Sequence, residues 1–271
     1  MTHDQHVVPQ VYLKNFADGM MCYVIDGYTG KIRLKSIEGI CYENDYYELR
    51  DSEGEIVYEN LFESGVYQKL ETSYSNYLED LFLALKTDNV KRFLKLEDNS
   101  LCLITWMVIM LLRNPLAFSM TQEIGREMGI EWNDLQAHNN AILSMTALEN
   151  MSRALYKTHK LVFLKNGIDT SFLTGNYPSV IMNDNKGKIR GYMPLSPEYY
   201  VLLVDKSDTG LKEFSVSSVK KPIVDYYNKA LIRSTIHIET DVKHKYIISK
   251  DRKTLEYYHE YIKKQVYKKS Q

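Results

Sequence analysis

Six polar residues are the strongest candidates for chemistry in this chain. His6, Gln10 and Asn15 stand among apolar neighbours in the opening stretch MTHDQHVVPQVYLKNF. Chain ends are usually polar and loose, so this amphipathic start predicts an N-terminus docked into the body of the protein. An imidazole titrates near neutral pH and serves as general acid or base. The carboxamides of Gln10 and Asn15 can position a substrate by hydrogen bonds. Arg113 follows the apolar run Leu101–Leu112 and precedes Asn114-Pro115. A charge at the end of a buried helix must be paired or must face a polar cavity. Its planar guanidinium suits an anion; alternatively it binds the helix's own last carbonyls. Asn176 lies in Phe172-Leu173-Thr174-Gly175-Asn176-Tyr177-Pro178, which reads as a strand running into a tight turn. Asn228 sits on an otherwise amphipathic helix, where it contacts a ligand or cross-links buried backbone.

Three functions follow from this set. In a hydrolase acting on a phosphodiester or nucleotide, His6 and Arg113 are the catalytic pair, with Arg113 holding the phosphate, while Gln10, Asn15, Asn176 and Asn228 bind substrate. In a non-catalytic sensing module the same groups cradle an anionic ligand or nucleotide. In a structural or interaction protein they satisfy buried backbone and lock the N-terminus onto the helices. Standard nucleotide, hydrolase and metalloprotease signatures are absent from the sequence. His3, Asp4 and His6 could hold a cation only by ordering a chain terminus. The spacing therefore assigns no metal and leaves the cofactor unknown, with a divalent ion compatible but not indicated. His138, His159, His237, His244 and His259 are isolated and read as surface or hydrogen-bonded histidines.

The elements that must position these groups can be read from periodicity. Cys22–Asp26 and Lys31–Lys35 alternate around Gly27, Tyr28, Thr29 and Gly30 and predict a β-hairpin. Short extended pieces follow at Tyr46–Leu49 and Glu55–Tyr58, separated by a turn at Asp51–Gly54. Apolar residues then recur at three and four from Leu61 to Leu85, which predicts a long helix. Asn99–Leu112 predicts a second helix, apolar nearly all round and hence central. Leu116–Met128 predicts a third, stopped by Gly129, and Asn133 or Asp134 caps a fourth running to about Tyr156. Beyond it come short β-rich runs at His159–Leu164, Ser171–Thr174, Val180–Met182, Lys188–Gly191, Tyr199–Val204 and Lys212–Val216. Helices are expected at Val219–Ala230 and Asp251–Gln265. The predicted class is α+β: a hairpin unit over 1–60, a helical bundle over 61–157, and a mainly antiparallel sheet with C-terminal helices over 158–271. Without repeats or a low-complexity linker, the reading is a single compact domain over 1–271.

Composition narrows the partners. The 271 residues carry 34 Lys and Arg against 35 Asp and Glu, a net charge of −1. That balance argues against non-specific adhesion to nucleic acid or membrane, and leaves a local basic groove open. A nucleotide or nucleic acid is the expected partner; the oligomeric state stays open. The longest apolar run is too short to span a bilayer. Three scattered cysteines, Cys22, Cys41 and Cys102, fit free thiols in a reducing cytoplasm, and no signal segment opens the chain. The 22 tyrosines fit compositional drift.

Taken together, Gln5-His6-Val7-Val8-Pro9-Gln10 with Tyr12-Leu13 and Asn15-Phe16 resembles the HHVPQ-x-YL-x-x-F opening of domain-of-unknown-function family 4238. The resemblance continues through Tyr28-Thr29-Gly30, Arg113-Asn114-Pro115, the FLTGNYP turn, Pro194-Leu195-Ser196-Pro197 and the helix carrying Asn228. It implies a microbial intracellular protein of accessory or mobile-element character, for which a role in phage–host conflict is an expectation. Two positions depart from the family pattern: Gln5 replaces its first His, and Asn176 its usual Asp. If those groups were a base or metal ligands, this chain would bind without turning over, because a carboxamide takes up no proton.

Overall fold

The computed structural model describes residues 4–59, 61, 67–113, 125–126, 128–129, 133, 136, 139, 148–183, 188–237 and 244–269. The fold is α+β, as expected. The opening segment runs as strand β1 (Asp4–His6), a single helical turn α1 (Gln10–Leu13) and a 3-10 turn over Lys14–Phe16. Val7, Val8, Tyr12, Leu13 and Phe16 are all buried, which docks the N-terminus as its amphipathic pattern requires.

The hairpin forms as β2 (Met21–Asp26) and β3 (Ile32–Ser36). It does not stand alone. Its strand β2 pairs antiparallel with a late strand, β13 (Tyr246–Ser249), which in turn pairs with the two-residue β8 (Thr174–Gly175). This four-stranded sheet therefore joins the two ends of the chain. Two small ribbons accompany it: β1 with β4 (Tyr42–Asn44), and β5 (Leu49–Arg50) with β6 (Ile56–Tyr58). A second sheet has the order β12-β7-β11-β10-β9. Its strands are β7 (His159–Asn166), β9 (Val180–Asn183), β10 (Ile189–Pro194), β11 (Tyr199–Asp205) and β12 (Val216–Val219). All its pairings are antiparallel except β12 on β7.

Helix α2 (Gln68–Lys86) buries Tyr74, Tyr77, Leu78, Leu81 and Leu85, the stripe its period predicts. After the short α3 (Val90–Leu94) comes α4 (Glu97–Leu112), whose unbroken buried run Trp106–Leu111 places it at the centre. It packs on α2, on α5 (Leu148–Thr158) and on β9 and β10. Helices α6 (Lys221–His237) and α7 (Arg252–Lys269) pack on each other and on β13. The helix expected over Leu116–Met128 lies almost wholly outside the described residues, as do Pro115, Asp134 and His138. At Asn133 the cap is visible: Asn133 Oδ1 accepts from the Gln136 backbone N–H at 2.8 Å, and Gln136 Oε1 accepts from the Asn133 N–H at 3.2 Å.

The extended piece expected at Tyr46–Leu49 is a turn that reaches strand only at Leu49, and two further elements differ from expectation for a definable reason. Ser171–Leu173 is not a strand, although its composition fits one. The side chain of Asn228 takes the place of a neighbouring strand: its Oδ1 accepts from the Leu173 N–H at 2.9 Å, and its Nδ2 donates to the Ser171 carbonyl at 2.9 Å. The strand expected at Lys212–Val216 begins only at Val216, because the Ser215 N–H turns back onto the Lys212 carbonyl. Among the described residues no helix is long and apolar enough to cross a membrane.

Candidate functional site

His6 and Arg113 do meet, through the backbone of one and the side chain of the other. Arg113 continues the last turn of α4 and is fully buried. Its Nη2 donates to the His6 carbonyl at 2.6 Å, its Nη1 to Glu71 Oε1 at 2.6 Å, and its Nε to the Tyr47 hydroxyl at 3.1 Å. The guanidinium also lies 4.1 Å from the centre of the Tyr67 ring. Burial opposes its charge, but Tyr47, Glu71 and Tyr67 more than offset that and hold it protonated. Its donors turn neither to its own helix carbonyls nor to an open cavity. A phosphate at this position would have to displace Glu71.

The His6 imidazole is half-buried. Gln10 Nε2 approaches its Nε2 at 3.4 Å, and the backbone of Ile37 and Glu38 lies near the ring. Burial pushes its pKa down, which favours the neutral ring. Gln5 is buried beside it. Its amide donates to Glu48 Oε1, and its oxygen accepts from the Tyr47 backbone N–H. Gln5 thus acts as a two-handed link between β1 and the segment after β4. Among the described residues, no group of three or more His, Cys, Asp or Glu gathers where it could hold a metal ion.

Asn176 and Asn228 are placed elsewhere. Asn176 Oδ1 accepts from the Tyr246 backbone N–H, and its own N–H donates to the Tyr246 carbonyl at 3.2 Å. It extends β8 along β13. The preceding Gly175 is required there, since a Cβ would stand 2.5 Å from the Tyr246 carbonyl oxygen. Asn228 also donates to the Tyr258 hydroxyl at 3.2 Å. Both carboxamides hold the FLTGNYP segment in place.

Three motif segments converge on Tyr12. Its hydroxyl donates to the Pro194 carbonyl at 2.7 Å and lies 2.8 Å from Thr174 Oγ1. Burial raises its pKa far above the ordinary phenol value. This buried contact fixes the opening segment against the PLSP turn, and on the outer side of that junction lies a cleft of about 250 Å³. Asn15, Phe82, Lys86, Ser196, Tyr199 and Lys250 line it, together with Pro197 and Glu198.

The cleft has a definite electrostatic character. Asn15 Nδ2 is buried without a hydrogen-bond partner. Ser196 Oγ accepts from the N–H groups of Glu198 and Tyr199 at 3.2 and 3.1 Å, so its own proton remains to be donated. Lys86 ends α2 and Lys250 follows β13; both are exposed. Glu198 is offset by Lys165, whose Nζ lies 3.5 Å from Glu198 Oε1. Lys86, Lys250, Asn15 and Ser196 therefore line one hollow together with the carboxylate of Glu198. Of the six residues singled out from sequence, Asn15 alone lines it. Ser196 was legible as part of the PLSP turn, whereas Lys86 and Lys250 carry no pattern that marks them.

No curated protein and no solved structure matches the chain. The family described as Protein of unknown function (DUF4238) matches residues 4–253, a span that contains every residue of the Arg113 junction and of the cleft. The chain belongs to that family.

Proposed function

We propose that the protein is a binding or sensing module for an anionic ligand, and that the cleft beside Asn15 is its site. The observation that carries this reading is the buried Asn15 Nδ2 without a partner, in a cleft that also holds Lys86 and Lys250. An unsatisfied buried donor costs about 1–3 kcal/mol, and a small turn of the Asn15 side chain toward a ligand oxygen in the cleft would recover it. The two ammonium groups supply the charge that selects an anion. The cytoplasmic setting and the role in phage–host conflict expected from the family resemblance belong to the same proposal. Calorimetric titration of inorganic phosphate and pyrophosphate tests it. Wild type should bind, and the double variant Lys86→Ala, Lys250→Ala should not. Equal heats from both proteins would remove the cleft as the site.

His6 keeps a second reading alive, that of a hydrolase acting on a phosphodiester or nucleotide. Its half-buried imidazole favours the neutral form that a general base needs, and Glu71 and Arg113 lie close to it. Turnover on RNA, DNA and nucleotides, lost in His6→Ala, would establish it. Identical traces from the two proteins would end it.

A further inference from the structure

We propose that the ligand of the cleft is a nucleoside monophosphate, its phosphate between Lys86 and Lys250 and its base against Phe82. The inference rests on the anion-binding reading above and goes beyond it in naming the ligand class. A bare inorganic anion would use only part of this hollow. The cleft offers about 250 Å³, far more than one phosphate group fills. Its walls are also of mixed chemistry. Phe82 is only partly buried, and its ring centre lies 6.3 Å from that of the buried Tyr199. Pro197 adds a further apolar surface. A flat heterocycle stacks on such a ring whatever its identity, with a gain of about 1–3 kcal/mol per base in nucleic-acid binding sites.

The spacing suits this division of labour. Phe82 and Lys86 are four residues apart on α2, so they project from the same face one turn apart, with about 5–6 Å between their Cβ atoms. That offset leaves room for a sugar between a stacked base and a phosphate on the ammonium. Asn15 offers both a donor and an acceptor, which fits sugar hydroxyls as well as phosphate oxygens. Glu198 argues in the same direction. Its carboxylate can accept hydrogen bonds from the N–H groups of a base. Its charge is already offset by Lys165.

Calorimetry on the full chain with three probes separates the possibilities: inorganic phosphate, ribose 5-phosphate and adenosine monophosphate. The nucleotide should bind at least about tenfold tighter than ribose 5-phosphate. Phe82→Leu should erase that difference while leaving ribose 5-phosphate affinity within about twofold. Saturation-transfer NMR on wild type gives a readout that needs no variant: protein signal should pass most strongly to the base protons. Equal affinities for ribose 5-phosphate and the nucleotide would overturn the nucleotide assignment and leave the anion site standing. Transfer confined to sugar protons would overturn it likewise. Binding of none of the three probes would overturn the anion site itself.

Discussion

Arg113 Nη2 donates to the backbone carbonyl of His6 at 2.6 Å, so the end of the central helix grips the opening strand by its main chain. The contact depends on no property of the imidazole. It satisfies a buried carbonyl with a charged donor, which is among the stronger uses of an arginine. The same guanidinium reaches Glu71 on α2 and Tyr47, tying four segments of chain to one buried charge. This makes Arg113 a keystone of the fold.

Removal of Arg113 should therefore be costly whether or not the protein has a ligand. Arg113→Met leaves Glu71 without its charge partner and the His6 carbonyl with only the weaker bond from the Tyr47 hydroxyl at 3.2 Å. A loss of about 3–5 kcal/mol is expected, as for other broken buried pairs. Arg113→Lys should rescue little, because an ammonium cannot reproduce the fork. Urea denaturation measures both. A loss below about 1 kcal/mol, the range of an exposed pair, would contradict the role given to this residue.

The pH dependence of stability should carry a signature of His6. Burial lowers its folded pKa below the ordinary 6.5, so the unfolded chain takes up its proton first. Stability from this group is complete above that value and declines as pH falls through the window below it. Urea midpoints measured between about pH 7.5 and about pH 5 should fall more steeply for wild type than for His6→Gln. Parallel profiles would show that the ring does not report its burial.

Asn176 tests what an aspartate would do at this position. The carboxamide oxygen accepts from the Tyr246 N–H, and a carboxylate oxygen can accept the same bond. Asn176→Asp should lower the melting temperature, because it buries a carboxylate with no cation partner, and confer no hydrolysis. Asn176→Ala should cost about 1–3 kcal/mol, since it orphans a buried N–H. A gain of turnover in the aspartate variant would reverse this assignment and revive a catalytic site at the turn.

Gly175 should tolerate no side chain. Its missing Cβ leaves 2.5 Å to the Tyr246 carbonyl oxygen, and that oxygen belongs to a strand paired on both sides. Gly175→Ala must push β8 off β13, at a cost of about 1–3 kcal/mol or more. A thermal scan in which Gly175→Ala melts with wild type would refute the packing described.

Much of the fold could be read from the sequence because burial imposes a period. The stripe on α2, the all-apolar α4 and the docking of Val7, Val8, Tyr12 and Phe16 follow from spacing alone. The strand at Tyr246–Ser249 was missed. Four residues buried on both faces show no alternation, and their partners lie more than two hundred residues away in the hairpin. Local pattern cannot report such a pairing. The polar residues divided for a similar reason. His6, Arg113, Asn176 and Asn228 are noticeable in sequence because they interrupt apolar runs, and groups in such places have buried backbone to satisfy. Lys86 and Lys250 interrupt nothing, so only three dimensions bring them to Asn15.

The side chain of Asn15 reports most directly on the cleft. In protein labelled with 15N-asparagine, the carboxamide pair missing from the spectrum of Asn15→Ala identifies its resonance. Addition of inorganic phosphate should shift that pair in a saturable way, while the pairs of Asn176 and Asn228, held in their own hydrogen bonds, stay in place. A titration that leaves the Asn15 pair unmoved while other resonances shift would put the anion elsewhere and contradict the site proposed at this cleft.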